Sequence, residues 1–227
     1  MYKYFTKRMF TILALALVFT GCEKDEKKMK VDEDGLTKDI RDLIPDDILV
    51  GIKDLGMPIY GGNTPPDITG TFLASPLILV KSNFDDSYAP GQLFLDVKLT
   101  FSDQNNKNLT LKVLDENGDA TRTGTGGFIV GSGKKFTVFT GLDNVQSGHT
   151  YKTAALYSGT ISDAGIADFR YVLVMVDDNN PPASLNILKD GQGRLFKDDD
   201  GLAERVSNTK SSVQNIETLY PGACDSK

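Results

Sequence analysis

Few side chains in this 227-residue chain have the types and spacing that chemistry needs. It carries one histidine, His149, and two cysteines, Cys22 and Cys224. Zinc takes three or four Cys, His or carboxylate ligands, and a serine triad needs a histidine base. His149 stands in the turn Ser147-Gly148-His149-Thr150, facing solvent on this reading, so neither chemistry is expected. The glycine-rich run from Gly124 to Lys135 fails as a phosphate loop. Phe128 stands where the first glycine is required, and Lys135 where the hydroxyl that meets magnesium should be. Asp198-Asp199-Asp200-Gly201, followed by Glu204, offers the hard oxygen atoms that calcium prefers. Phe196 and Ser207 occupy two ligand positions of the helix–loop–helix calcium spacing. The metal expectation is therefore an irregular calcium site on Asp198, Asp200 and Glu204, with Asp177, Asp178 or Asn180 as further ligands. No pair among the 31 acidic residues stands out as a general acid and its partner. A non-enzymatic protein is expected, without a cofactor.

Cys22 has a sharper context. Lys3, Lys7 and Arg8 precede an apolar run from Met9 to Phe19, and small Thr20 and Gly21 come before the cysteine. The run is shorter than the ~20 residues of a membrane span, and Glu23, Lys24, Asp25, Glu26, Lys27 and Lys28 follow at once. This is the pattern of a cleaved secretory signal over residues 1–21. Val18-Phe19-Thr20-Gly21-Cys22 resembles the bacterial lipobox, with Phe19 where that motif usually has leucine. The resemblance implies acylation of the Cys22 thiol, which would become the new N-terminus. Glu23-Lys24-Asp25-Glu26 resembles the lysine-plus-acidic export signal of surface lipoproteins in Bacteroidetes-type bacteria. Together they imply an outer-membrane lipoprotein displayed at the cell surface, with a periplasm-facing orientation as the alternative.

The leader holds three of the 25 basic residues and no acid, so a chain starting at Cys22 carries 22 basic against 31 acidic residues, net −9. With no basic stripe, nucleic acid is not an expected partner. Cys22 is assigned to lipid and Cys224 stands alone near the end, so no disulfide framework is expected.

The elements that must position any site change character along the chain. Residues 22–36 are charged and read as a lipidated flexible tether. Residues 37–62 read as a short helical segment: Thr37 caps a helix to Ile44, and Pro45 opens a second to Leu55, stopped by Gly56. Residues 63–200 read as an antiparallel β domain. Leu95, Val97, Leu99 and Phe101 alternate with polar residues, Leu109, Leu111 and Val113 resume the alternation, and Asn117-Gly118 signals a hairpin. Further strands are expected at 68–75, 77–81, 127–131, 135–140, 150–161, 169–176, 185–188 and 194–197. Phe169–Val176, apolar on both faces apart from Arg170, is expected to be central. Residues 201–227 read as a tail.

The fold class is therefore all-β, mainly antiparallel, with eight to ten strands. Short connections favour a meander barrel over a two-sheet sandwich, which stays open as the alternative. Ile68-Thr69-Gly70-Thr71-Phe72 resembles the opening strand of lipocalin-type barrels, which normally carry a tryptophan that this chain lacks.

The functional reading is a lipid-anchored envelope protein whose β domain is a binding or assembly module. A carrier of a small apolar ligand and a glycan-active hydrolase are the alternatives. The membrane is the expected partner through the anchor, with an unknown protein, glycan or small apolar ligand at the domain. Tyr60, Phe84 and Tyr88 are the first candidates for ligand contact, with Tyr151, Tyr157 and Tyr171 behind them.

Overall fold

The computed structural model describes residues 29–118 and 120–206. Cys22, Glu23, Lys24, Asp25, Glu26 and Cys224 lie outside the described residues. In chain order the elements are α1 (Lys38–Leu43), α2 (Asp46–Leu55), β1 (Asn63–Thr64), β2 (Gly70–Ala74), β3 (Leu77–Ser82), β4 (Leu93–Phe94) and β5 (Val97–Asn105). There follow β6 (Thr110–Asn117), β7 (Ala120–Thr123), β8 (Thr125–Ser132), β9 (Lys135–Gln146), β10 (His149–Ile161), β11 (Gly165–Asp177), β12 (Gly193–Asp198) and β13 (Leu202–Val206).

Eight of these strands close a barrel in the cycle β2-β5-β6-β8-β9-β10-β11-β13, with β13 returning to β2. Each barrel strand pairs antiparallel with the next barrel strand along the chain, so the architecture is an up-and-down meander rather than a sandwich. The sheet forks on β11. Its first residues, Gly165 to Ala167, pair with β13, and Arg170 to Val174 pair with β12. Asp168, at φ 53°, lies between the two registers and donates its amide to the Gly201 carbonyl. From the fork, β12, β3 and β4 form a short sheet of their own.

Eight strands enclose a space that side chains can just fill. Here Phe72, Leu99, Phe101, Val113, Ile129, Phe136, Val138, Tyr157, Phe169 and Tyr171 fill it, all buried and in one apolar cluster. The other faces of β9 to β12 are also apolar, which is why Phe169–Val176 reads as apolar on both sides. Phe139, Ala154, Leu156, Val172, Val174 and Leu195 meet the helices there. Leu49, Ile52 and Leu55 of α2 supply the cover, each burial contributing about 1.5–3 kcal/mol. Thr37 caps α1 by accepting the Ile40 amide, and Gly56 ends α2 at φ 95°. Cap and stop are both where the local sequence places them.

Two boundaries differ from the sequence reading. Residues 29–36 of the expected tether belong to the packed domain, because Leu36 is buried and Met29 and Val31 pack against the same cluster as the helices. Asp32 accepts the amides of Asp34 and Leu36, Arg41 bonds Asp32 and Asp34, and Gly35 accepts the Gly62 amide. A Cβ on Gly61 would stand 2.1 Å from the Asp34 carbonyl oxygen, so glycine permits this close approach. At the other end β13, which closes the barrel, falls in the expected tail. Residues 185–188, expected as a strand, form irregular chain in which Leu185 donates its amide to the Pro182 carbonyl. Among the described residues no helix is long and apolar enough to cross a membrane.

Candidate functional site

Phe84 and Tyr88, far from Arg194 in sequence, flank its guanidinium with ring centres 5.3 and 5.0 Å away. Asp86 completes the cluster through a two-point contact with Arg194, at 2.6 and 3.0 Å, and accepts the Ser82 hydroxyl. These hydrogen bonds hold the Asp86 carboxyl down at about 2. Tyr88 meets Phe94 edge-on, and the contacts continue through Phe196 and Tyr171 to Tyr157 inside the barrel. Phe84 and Tyr88 thus flank a partly buried ion pair. Tyr60 stands apart from them, with Lys135 over its ring and its amide donated to Thr137 Oγ1.

The acidic turn joins two bends. Asp198 is buried, and its carboxylate accepts the Ser75 amide between β2 and β3 and the Asp200 amide within its own turn. Asp200 accepts the Leu202 amide, while Glu204 lies within β13 between Leu73 and Gly165. Asp177 does not join them: seven residues separate it from Arg170, whose partner is Lys197, a span of roughly 23 Å along the strand. Among the described residues no three His, Cys, Asp or Glu side chains converge as a metal would require.

Burial, with the neighbouring Asp200 carboxylate, pushes Asp198 up to about 6, above its ordinary 3.8. The native state therefore holds a proton there that the unfolded chain releases, and this contribution to stability is lost as pH rises from about 4 through about 6. Asp86 acts in the opposite sense, contributing stability above about pH 4 that is lost as pH falls towards 2. Melting temperatures of wild type and Asp198→Asn across pH 3–8 should diverge in this way. The variant lacks the decline between about pH 4 and 6, which is worth roughly 1–2 kcal/mol after solvent screening. Parallel curves would show that Asp198 does not titrate in that window.

A concave feature lies at the end of the barrel where β9 and β10 turn. It is a half-open groove of about 410 Å³ lined by Asp143, Asn144, Val145, Thr150, Tyr151, Lys152, Asp177 and Asn179. Cross-strand register builds it. Lys152 of β10 pairs with Asp143 of β9 on one side and Asp177 of β11 on the other. With strands about 4.8 Å apart, the two aspartates sit about 10 Å from one another across the lysine. Both are exposed. Asn144 donates to the Leu142 carbonyl and Thr153 Oγ1, and Asn179 donates to the Thr150 carbonyl, so both amides are held by the strands themselves. His149 braces the same end, its Nε2 lying 2.7 Å from the Asp178 carbonyl oxygen, instead of facing solvent.

Sequence reasoning reached Tyr151 as an aromatic and Asp177 as an acid, but not the groove. The pairing of residues 143, 152 and 177 is a register fact with no local signal. It also did not reach a polar cluster inside the barrel. There Asp115 is fully buried, Tyr157 donates its hydroxyl to it at 2.6 Å, and Arg122 of β7 bonds its other oxygen at 2.8 Å. Burial, then the Asp115 charge, raises the Tyr157 phenol well above its ordinary value, so it remains a donor.

No protein-family model matches this chain, and neither a curated protein nor a solved structure does.

Proposed function

We propose that this protein is a lipid-anchored module of the cell envelope that binds its ligand, without catalysis, in the groove at the β9–β10 end. One observation carries the reading: the chain enters the barrel at the opposite end. Met29 lies beside Asn63, which pairs with Gly131, which in turn faces Phe136 at the start of β9. Asp143 is seven residues further along β9, roughly 23 Å away. Six residues separate Cys22 from Met29, and seven extended steps reach at most about 25 Å. An acyl group on Cys22 would hold the entering end near the lipid and turn the groove outward.

The filled interior supports a surface module over a carrier of apolar ligands, which needs an empty barrel. The two aspartates are both exposed and stand about 10 Å apart with Lys152 between them, an arrangement that supports binding over hydrolysis. Metabolic acyl labelling tests the anchor, and the expected result is label in wild type and none in Cys22→Ser. Equal label in both sinks the anchor. Protease shaving of intact cells tests display: replacing Lys24, Asp25 and Glu26 with alanine should protect the domain if these residues carry the outward signal.

A further inference from the structure

From the polarity of its lining we infer that the groove takes a neutral polyhydroxylated ligand of the carbohydrate class. The inference rests on the groove being the binding site proposed above. The charged positions run negative, positive, negative across three neighbouring strands: Asp143, Lys152, Asp177. Among the described residues neither aspartate is ion-paired to Lys152, so all three heads are open to a ligand. A simple cation placed in the groove would meet Lys152, and a simple anion would meet two carboxylates. A hydroxyl donates and accepts, so a row of hydroxyls satisfies each position in turn without a net charge of its own.

The uncharged lining points the same way. The side-chain N–H groups of Asn144 and Asn179 are used by the strands, which leaves their amide oxygens as acceptors for hydroxyl protons. One Asp177 oxygen accepts the Asn179 amide, which fixes the carboxylate while its other oxygen stays free for a ligand. Tyr151, half-buried, and Val145, 71% exposed, add the apolar surface on which the C–H face of a sugar ring can rest. The groove volume of about 410 Å³ is in the range of small-ligand sites, and its open side admits a longer chain.

The test is calorimetric titration of the purified full chain in detergent micelles. The probes are neutral hexasaccharides of glucose, mannose and xylose, with spermine as the cationic and hexametaphosphate as the anionic comparison. At least one hexasaccharide should bind, with little dependence on salt. Binding should weaken about tenfold or more in Tyr151→Ala and in the Asp143→Asn, Asp177→Asn pair, the loss expected for hydrogen bonds to charged groups. Unchanged melting temperatures would show that these substitutions leave the fold intact. If no hexasaccharide binds, or binding is the same in the variants, the carbohydrate assignment is overturned. Spermine binding that disappears with the two aspartates would overturn the ligand class while keeping the groove as a site. Binding of any probe that none of the groove variants alters would overturn both.

Discussion

Arg122→Met should lower the free energy of unfolding by about 3–5 kcal/mol, the usual consequence of removing one partner from a buried ion pair. Asp115 is fully buried in the barrel, and Arg122 reaches it from β7 with its own side chain 19% exposed. Removing the guanidinium leaves the carboxylate with the Tyr157 hydroxyl as its one remaining side-chain partner among the described residues. The network is not complete even in wild type, since among the described residues the buried Arg122 Nε has no hydrogen-bond partner. Replacing the whole group should therefore be far less harmful than breaking it. Arg122→Met with Asp115→Leu and Tyr157→Phe removes the ion pair and the hydroxyl bonded to it, leaving only the Tyr171 phenol beside them, and most of the lost stability should return. Urea unfolding of the full chain measures both. A single variant as stable as wild type would show that the β6–β7 hairpin is not held by this pair. A triple variant no better than the single would show that the cluster contributes net stability.

The second large effect concerns β13. A chain ending at Asp200 should fail to form the native barrel, because β2 and β11 would each lose the partner that joins them. The lost pairs include Glu204–Leu73, Arg205–Phe72 and Val206–Thr71 on one side, and Glu204–Gly165 and Ala203–Ile166 on the other. Two unpaired edges, on β2 and at the start of β11, would be exposed, and exposed edges aggregate. Truncation also removes residues beyond the strand, so Ala203→Asp in the full chain isolates it. Ala203 is fully buried in the barrel cluster, and an unpaired carboxylate there should cost several kcal/mol. Near-ultraviolet circular dichroism and urea unfolding report the outcome. Native spectra and a wild-type midpoint in both variants would mean that the barrel does not depend on β13 for closure.

The contrast between these two regions and the helices shows where local sequence information ends. Thr37, Gly56 and the apolar face of α2 act within one or two turns of chain, so cap, stop and buried side can be read directly. The strand alternation from Leu95 to Phe101 and the Asn117-Gly118 turn are local in the same sense. Leu202 to Val206 has no comparable pattern. Its one buried position is an alanine, followed by charged Glu204 and Arg205, with Leu202 and Val206 half-buried at the strand ends. Residues 29–36 read as tether for a related reason: Asp32 and Asp34 look like solvated charges, yet Asp32 accepts two backbone amides and both carboxylates bind Arg41. Asp115 was equally silent, because a carboxylate on an alternating strand gives no sign that Arg122 and Tyr157 will meet it.

The sequence by itself determined the all-β class, the capped helical pair and the alternation of most strands, because each depends on neighbours a few residues away. It also carries, as an expectation, the cleaved leader and the acyl site at Cys22. The tertiary structure decided closure into an eight-stranded meander and the clamp of Phe84 and Tyr88 on Arg194. It also decided the groove across residues 143, 152 and 177. These depend on which strands lie side by side and in what register, and register is set by packing of the whole barrel rather than by any one segment.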